Sequence, residues 1–310
     1  MLLGGANMDL TARALCPLTP GDSTPGHIQW APGGVARNVA ENLVRLGVGS
    51  HLVSLVGDDL FGNDLLRVTA NAGVDVTPVG KREDQRTATY LSVQGLDGEV
   101  AMAVNDMSIL EYLTPDCLRS HLALLQGATC VVMDCNLVPT AMEWLFTQQL
   151  PTPLFADGVS VAKCGRLRPW FSRIHTLKVN ALEATELTGL AIGSVSDAHR
   201  AAVHLHQLGV SRVVISLGKQ GVCWSDQIQG VGYRAARELP VVNTSGAGDA
   251  LLAGLVHAHL HRLQLPEAIE FGMICAEITL GCPFANAPHL SWDAVQTVLS
   301  TAAITRSEGD

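Results

Sequence analysis

The sequence predicts an α/β fold in which helices cover both faces of a doubly wound, mostly parallel sheet, with a small β lid beside it. Five apolar runs of strand length alternate with helix-like segments along the chain. Strands that are apolar on both faces and separated by helices are typical of parallel sheets. The five runs are residues 51–57, 130–134, 153–157, 174–179 and 212–218. The helix-like segments that follow them or lie between them are 37–46, 64–72, 181–187 and 198–208.

Two further stretches do not fit a parallel sheet and predict the lid. Residues 10–31 are rich in Pro, Thr and Gly, and residues 86–105 have the pattern of two strands joined at Asp97-Gly98. We interpret both stretches as a small antiparallel flap beside the main domain. Since no internal repeat or low-complexity linker divides the chain, residues 1–310 are predicted to form a single domain. Its first strand is short, because only residues 1–3 precede the first glycine.

The composition of the chain narrows its possible partners. Its 310 residues are 47% hydrophobic, enough for a sizeable core, and carry a formal net charge of −9. This charge disfavours nucleic acid and anionic membranes, which need clustered Lys and Arg. No apolar run reaches the roughly 20 residues needed to span a bilayer. Eight cysteines without a CxxC pair indicate buried thiols in a reducing compartment, and we expect a cytoplasmic protein.

The stretch VVNTSGAGDALLAG, residues 241–254, is the main candidate for chemistry. A β-like apolar run turns into an apolar helix at Gly246, Ala247, Gly248 and Asp249. The two glycines have no Cβ, so an anion can approach the backbone N–H groups that are unpaired at a helix start. A carboxylate beside such a cradle suits phosphoryl transfer, in which Asp249 accepts the proton of the attacking hydroxyl. The alternative is that Asp249 only caps the helix.

Five motifs in a fixed order resemble the PfkB/ribokinase family of carbohydrate and nucleoside kinases. NTSGAGDALLAGL resembles the second signature of the family, and GGVARNVAENLVRLG, residues 33–47, resembles the first. GGANMD near the start, NALE at 180–183 and SLGKQG at 216–221 extend the resemblance over nearly the whole chain. It implies a ribokinase-like domain with a β lid, ATP and Mg²⁺ as cofactors, and transfer of a phosphoryl group to an alcohol.

Residues near the first signature are implied to bind the acceptor. Gly33 and Gly34 let backbone N–H groups touch a hydroxylated ligand, and Asn38, one turn into the helix, can both donate and accept hydrogen bonds. By resemblance Gly34 and Asn38 hold sugar hydroxyls. Asn7 and Asp9 follow the first strand, where the family uses an acid to accept two vicinal ribose hydroxyls. Capping of a turn by Asp9 is the alternative.

Residues after two other strands are implied to bind the nucleotide. Asn180 and Glu183 stand three apart at a helix start, so both can face one site. The resemblance assigns Asn180 to the nucleotide phosphates and Glu183 to Mg²⁺ through water. A capping box explains the same spacing and is compatible with that role. By resemblance Ser216, Gly218 and Gly221 line the ATP site, in a turn that lacks the Walker A spacing.

Four details resemble the branch of the family that acts on pseudouridine. They are the Arg before Asn in PGGVARN, AVNDM at 103–107, DCN at 134–136 and IHTLKVN at 174–180. Asn105 and Asn136 suit a uracil ring or ribose, and Thr87 and Thr89 of the flap can act in the same way. The implied reaction is phosphorylation of the 5′-hydroxyl of a nucleoside, pseudouridine first, with other ribonucleosides or sugars as alternatives. A non-catalytic nucleoside-binding protein is the rival from another class.

Two further expectations concern ions and assembly. Asn243 stands where many family members carry Asp, which puts the monovalent-cation (K⁺) site of the family in doubt. The flap is predicted to close over the sugar, or to carry a homodimer interface, because a small exposed sheet leaves edges to be covered.

Overall fold

Strands and helices alternate along the computed structural model, which describes residues 1–307; residues 308–310 of the predicted domain lie outside the described part. The strands are β1 Leu2–Leu3, β2 Asn7–Ala14, β3 Gly26–Gly33, β4 Leu52–Val53, β5 Leu55–Gly57, β6 Gly80–Arg82, β7 Thr89–Gln94, β8 Val100–Asp106, β9 Val131–Asp134, β10 Leu154–Asp157, β11 Thr176–Asn180, β12 Arg212–Ser216, β13 Val222–Asp226 and β14 Gly230–Arg234. The α-helices are α1 Val35–Arg45, α2 Leu60–Asn71, α3 Pro115–Arg119, α4 Leu122–Gly127, α5 Pro139–Thr147, α6 Val161–Cys164, α7 Ala181–Thr188, α8 Val195–Gln207, α9 Ala247–Leu260, α10 Leu265–Leu280 and α11 Trp292–Ser307. Short 3-10 helices cover Ser108–Tyr112, Gly165–Arg173 and Gly218–Gln220.

Eight of these strands form the central sheet, in the order β14-β13-β12-β11-β10-β9-β1-β4. Neighbours from β12 to β4 pair in parallel, and β13 and β14 extend one edge as antiparallel strands. The predicted doubly wound, mostly parallel sheet is confirmed. The predicted run 51–57 is divided at Ser54, whose hydroxyl donates to the carbonyl of Gly4, so that only Leu52–Val53 joins this sheet. Leu55–Gly57 pairs instead with Gly80–Arg82.

Both faces of the central sheet are buried, each under its own set of helices. Side chains alternate along β9. Val132 belongs to the apolar cluster that includes residues of α1, α9 and α10, while Val131 and Met133 belong to the cluster that includes residues of α5, α7 and α8. This two-sided burial explains the near-continuous apolar runs in the sequence. The predicted helices occur with small shifts at their ends. Helix α2 begins four residues before the predicted 64–72 segment, because Asp59 caps it by accepting from the N–H of Gly62.

The second sheet has the strand order β3-β2-β7-β8 and contains most of the predicted flap. Strand β2 pairs antiparallel with β3 and β7 pairs antiparallel with β8, whereas β2 and β7 run parallel. The prediction of a wholly antiparallel flap is therefore wrong, since the two hairpins come from separate segments and meet side by side. The turn at Asp97-Gly98 is confirmed, with Gly98 at φ 81° and its N–H donating to the carbonyl of Gly95 at 3.1 Å.

The expectations about membranes and thiols can also be compared with the structure. Along residues 1–307, no helix is long and apolar enough to cross a bilayer. All eight cysteines are free thiols. Burial was predicted for them and is found except at Cys16 and Cys117, which are half-buried.

Polar residues gather where the parallel strands of the central sheet end. Asp134, Asp157 and Lys178 lie in register on β9, β10 and β11, and Asn180 pairs with Ser216 at the ends of β11 and β12. Helices α1 and α9 also begin at this edge, as their contacts with Asp134 and Lys178 show. Ligands of open α/β sheets bind at such edges.

Candidate active site

The start of α9 has the geometry that an anion site requires. Gly246 precedes the helix in the left-handed conformation (φ 76°), and a Cβ placed there would lie 1.9 Å from the carbonyl oxygen of Ala285. No side chain of the described residues caps this helix, so the N–H groups of Ala247 and Gly248 point out of its first turn without a side-chain acceptor. Asp249 lies in the same turn and is 9% exposed. The role of these four residues in catalysis remains a prediction.

Asp249 is held by Asn38 from the facing helix α1. The Nδ2 of Asn38 donates to Oδ2 of Asp249 at 2.8 Å, and both side chains are buried. Burial raises the pKa of Asp249 to about 7; the charge of Asp157 adds to the rise, whereas Lys178 and the bond from Asn38 oppose it. A carboxyl group with a pKa near neutrality suits a general base. Asn38, which the resemblance assigns to sugar hydroxyls, is thus in direct contact with the candidate base.

The amide of Asn38 is fixed in turn by the buried guanidinium of Arg37. The Nη1 of Arg37 donates to Oδ1 of Asn38 at 3.0 Å and to Oδ1 of Asn286 at 2.7 Å. With its oxygen turned toward Arg37, the amide presents its nitrogen to Asp249. Arg37 is the Arg of PGGVARN that resembles the pseudouridine branch of the family. It therefore controls the orientation of the Asn38 amide beside Asp249.

The predicted acceptor residues Asn7, Asp9, Gly33 and Gly34 lie together where β2 begins and β3 ends. Asn7 pairs in register with Gly33, and its Nδ2 donates to Oδ1 of Asp9 at 2.6 Å. A Cβ placed on Gly33 would lie 2.2 Å from Oδ2 of Asp9, and one on Gly34 (φ 97°) would lie 2.5 Å from the carbonyl oxygen of Gly5. Both glycines are therefore needed for close packing, whatever ligand they admit.

Asp134, which sequence reasoning did not select, joins the segments around the acceptor residues. Its buried carboxylate accepts hydrogen bonds from the N–H groups of Gly5 at 2.8 Å, Ala36 at 3.0 Å and Asn136 at 2.8 Å. Burial raises its pKa to about 6, although these three bonds lower it. Asn136 accepts from Nζ of Lys163 at 2.6 Å, and its Nδ2 lies beside Gly5. The feature of the sequence that could have indicated Asp134 is its position as an acid at the end of an apolar, strand-like run.

Asn105 lies on the same side of the second sheet as Asp9, whereas Thr89 does not. In register, Asp9 is opposite Tyr90, and Tyr90 is opposite Asn105, so the three residues share one face. Thr89 is opposite Met8 and therefore belongs to the other face. The structure brings Asn105, but not Thr89, to the face of the sheet that carries Asp9.

The hydroxyl of Thr87 is already used within the fold. It donates to Oδ1 of Asp59 at 2.7 Å and accepts from the N–H of Gly57 at 3.0 Å. The side chain is buried and fixes the turn before α2. Thr87 is therefore placed as a structural residue, and the sequence could not show this because its partner lies 28 residues away.

Asn180 and Glu183 form a capping box at the start of α7. Oδ1 of Asn180 accepts from the N–H of Glu183 at 2.9 Å, and Oε2 of Glu183 accepts from the N–H of Asn180 at 2.9 Å. Burial raises the pKa of Glu183, and Asp157 adds to the rise while Lys178 opposes it. A carboxylate with lone pairs left over fits Mg²⁺ held through water, since this ion keeps several waters. Within residues 1–307 no three His, Cys, Asp or Glu side chains converge to hold an ion by themselves.

The remaining nucleotide residues lie in the turn between β12 and β13. Ser216 ends β12 beside Asn180, and its hydroxyl donates to the carbonyl of Val179 at 3.4 Å. Gly218 has φ 56° and open space around the position of a Cβ. Gly221 has φ 110°, and a Cβ there would lie 2.0 Å from the carbonyl oxygen of Arg234. The structure thus brings Asn180 and Ser216 together at an open glycine turn.

Comparisons with known proteins identify the family. The model of the pfkB family of carbohydrate kinases matches residues 1–292, and the chain belongs to this family. Pseudouridine kinase of Escherichia coli (strain K12) is 37% identical over 302 residues, covering 97% of this chain and 96% of that protein. An uncharacterized sugar kinase of the same organism, YeiI, is 37% identical over 293 residues, covering 94% of this chain and 81% of that protein.

A solved structure supports the fold. Arabidopsis thaliana ribokinase complexed with ribose and ATP has a TM-score of 0.86 to this chain at 20% identity, covering 96% of this chain and 97% of that one. At this identity the likeness concerns the fold alone, which is ribokinase-like as predicted. With the family match, the protein is a phosphotransferase that uses an alcohol as acceptor.

Replacing Arg37 by Met should destabilise the fold. The guanidinium pairs with the buried carboxylate of Glu41, which also pairs with Arg45. Without Arg37, Glu41 keeps only the partly exposed Arg45 as a partner, and the Oδ1 atoms of Asn38 and Asn286 lose this buried donor. We therefore expect the free energy of unfolding to fall by about 3 kcal/mol in urea titrations. Arg67→Met, which breaks an exposed pair with Asp64, is the control and should cost less than about 1 kcal/mol. Equal small losses in both variants would contradict the importance of the Arg37 network.

The pH dependence of catalysis should follow the protonation of Asp249. Because its pKa is raised to about 7, the carboxylate that accepts the proton is lost as the pH falls through this value. We expect kcat/KM to fall about tenfold per pH unit on the acid side and to level off on the alkaline side. Initial rates at saturating ATP across the pH range give the profile. A rate that stays level down to about pH 5 would contradict a general base with this pKa.

Proposed function

We propose that this protein is an ATP- and Mg²⁺-dependent kinase that phosphorylates the 5′-hydroxyl of a nucleoside, with pseudouridine as the favoured substrate. The observation that carries the proposal is the contact between Asn38 and Asp249 at the uncapped start of α9. Here the buried carboxylate of Asp249, whose pKa is raised to about 7, lies in the same helix turn as N–H groups that can stabilise negative charge. This is the pair of features that phosphoryl transfer to an alcohol requires.

In the proposed reaction, the 5′-hydroxyl oxygen attacks the γ-phosphorus of ATP. The bond from this phosphorus to the β,γ-bridging oxygen breaks, and ADP leaves. Asp249 accepts the hydroxyl proton and later releases it to solvent, while the N–H groups of residues 246–248 stabilise charge on the phosphoryl group. Because the transition state is loose, Asp249 needs correct placement more than high basicity.

The nucleotide would lie along the ends of β11 and β12. Asn180 is assigned to its phosphates, and Ser216, Gly218 and Gly221 to the wall of its site. Glu183 would hold Mg²⁺ through water, and the ion would neutralise phosphate charge. The capping box supports this assignment because it fixes the Glu183 carboxylate in one orientation.

The acceptor would lie between the start of β2 and the start of α1. Asp9 would accept hydrogen bonds from ribose hydroxyls, and Asn7 would donate hydrogen bonds to them, beside Gly33 and Gly34. The similarity to a relative named pseudouridine kinase, over nearly all of both chains, supports a nucleoside as substrate. Another relative of equal identity is named as a sugar kinase, so other ribonucleosides and sugars remain the alternative.

A substrate panel tests the proposal. ADP release from ATP and Mg²⁺ is measured with pseudouridine, uridine, inosine and ribose side by side, and pseudouridine should give the highest kcat/KM. If another member of the panel is turned over faster, that compound is the preferred substrate and the proposed type of reaction is unchanged. No turnover with any member, together with clear thermal stabilisation by one of them, would favour the rival function of non-catalytic binding.

Asp249→Asn should remove most turnover and leave binding measurable. The amide keeps the shape of the side chain but cannot accept the hydroxyl proton, so we expect kcat to fall by roughly 10²- to 10⁴-fold. Calorimetric titration with the nucleoside should still give a dissociation constant. Asp293→Asn, which alters an exposed acid in the first turn of α11, is the matched control and should leave both quantities unchanged. Equal loss of turnover and binding would make Asp249 a structural residue.

We propose that the site works without the monovalent cation, which Asn243 puts in doubt. The Nδ2 of Asn243 donates to the carbonyl of Pro283 at 2.9 Å, and its Oδ1 accepts from the N–H of Ser245 at 2.9 Å. The amide thus connects the segment before α9, where the structure has no strand although the sequence suggested a β-like run, to the segment after α10. Exchange of K⁺ for Na⁺ at constant ionic strength should leave kcat unchanged, and a rate that depends on K⁺ would contradict this.

The unpaired thiols support the cytoplasm as the proposed compartment.

A second copy of the chain is proposed to cover the second sheet on the face opposite to Asp9. That face is apolar and exposed: Ile28, Trp30, Met102 and Val104 are between 59% and 65% exposed. Register places them in two adjacent rows with Leu10, Ala12, Leu91 and Val93. A contiguous apolar face of this kind marks an interaction surface, and a flat sheet face can pair with its own copy. The other face would close over the sugar.

Met102→Asp should dissociate the proposed dimer. A charge in the middle of an apolar interface loses its water without gaining a partner, so the variant should sediment as a monomer at concentrations where the parent chain sediments as a dimer. Ile228→Asp is the control, because Ile228 is 90% exposed in the turn between β13 and β14. A parent chain that is monomeric at micromolar concentration would contradict the interface.

A further inference from the structure

Lys178 is a buried cation that the predicted site does not include. It lies on β11 in register with Asp157 on β10, and Asp157 is in register with Asp134 on β9. The side chain is 7% exposed, and its Nζ donates to Oδ2 of Asp157 at 2.9 Å. A lysine of the apolar run 174–179 is therefore part of a row of charges at the edge of the sheet.

The ammonium of Lys178 lies against the first turn of α9. A Cβ placed on Gly248 would lie 2.6 Å from Nζ of Lys178, so the ammonium would have to move to admit a side chain there. The sequence suggested that Gly248 leaves room for an anion. The structure adds a second reason, because the missing Cβ lets a cation lie against the helix turn that carries the N–H groups of Ala247 and Gly248.

The charges around Asp249 show what this cation does. Asp249 is influenced by Asp157 and Asp134 from neighbouring strands, by Lys178 from β11 and by Asn38 from α1. The two acids raise its pKa, while Lys178 and Asn38 lower it. In return, burial lowers the pKa of Lys178, but Asp157, Asp249 and Glu183 raise it above its usual value. Lys178 thus stays charged and offsets the negative charge of the site.

We propose that Lys178 is a positioning residue for phosphoryl transfer, in which its ammonium balances the buried acids behind the start of α9. The inference rests on the proposed kinase reaction. With the positive charge present, Asp249 can accept the hydroxyl proton and an anionic phosphoryl group can approach the N–H groups of α9. Without it, Asp134, Asp157 and Asp249 leave a negative edge that repels a triphosphate. The competing account is that Lys178 only pairs with Asp157 to stabilise the sheet.

Two variants of the full-length chain separate these accounts. Lys178→Met removes the charge and keeps most of the volume, but it leaves Asp157 buried without its partner. The double variant Lys178→Met, Asp157→Asn removes both charges of the pair, so Asp157 is not left as an unpaired carboxylate. Each is measured for kcat, for the acid limb of the kcat/KM profile, for the nucleoside dissociation constant and for the melting temperature.

Lys178→Met should lower kcat by about 10²-fold and move the acid limb to higher pH, because the acids that remain hold a proton on Asp249. The nucleoside dissociation constant should change little. In the double variant the melting temperature and the acid limb should return toward those of the parent chain, since opposite charges near Asp249 are removed together. Its kcat should stay at least about tenfold below that of the parent chain, because no cation lies against the first turn of α9.

A control and three outcomes decide the matter. Arg212→Met breaks the pair with Asp226 at the other end of the same sheet and should lower the melting temperature without moving the acid limb. The role of Lys178 would be overturned by full recovery of kcat in the double variant, or by a parent-like kcat and acid limb in Lys178→Met. Either result would leave the proposed kinase reaction standing. A parent chain that turns over no nucleoside or sugar would overturn the proposed reaction and this role with it.

Discussion

Carboxylates buried at the edge of the central sheet set the main constraint on this structure. Asp134 and Asp157 end neighbouring parallel strands, and Asp249 faces them from α9. Removal of an ionised carboxylate from water is unfavourable unless donors and positive charge compensate. Here backbone N–H groups compensate Asp134, Lys178 compensates Asp157, and Asn38 compensates Asp249. Because Gly5, Ala36, Lys178 and Asn38 belong to other strands and helices than the acids they contact, these charges also help to determine how strands and helices meet.

Two helix starts converge on one carboxylate at this edge. Helix α1 supplies Asn38 and α9 supplies Asp249, and Arg37 fixes the amide that joins them. A buried polar network in which the donors and acceptors are paired rigidifies its surroundings. Rigid placement matters more than basicity for a group that accepts a proton from a loose transition state. The fold therefore meets the main requirement of the proposed chemistry with a network that also holds α1 against α9.

The sequence was informative where structure follows from local rules. Strands buried on both faces leave continuous apolar runs, and glycines before an apolar helix mark the start of α9. Pairings between distant segments were not readable. Ser54 divides a predicted strand by bonding to Gly4, and β2 meets β7 in parallel although each hairpin reads as antiparallel. Thr87 carries a suitable hydroxyl that Asp59 already occupies. Lys178 looked like one polar residue in a strand, since its position depends on register with Asp157.

The short segment after α10 touches both helix starts. The carbonyl of Ala285 packs against Gly246 at α9, while Nδ2 of Asn286 donates to the carbonyl of Asn38 and to Oδ1 of Asn42 on α1. In the proposed reaction the phosphoryl donor and the acceptor would thus share one stretch of main chain as a wall. If binding of one substrate orders this wall and so changes the affinity for the other, the other substrate changes the affinity for the first by the same factor, because coupling between two ligands is reciprocal. The order of arrival can then change the speed of assembly, but the stability of the ternary complex is the same by either route.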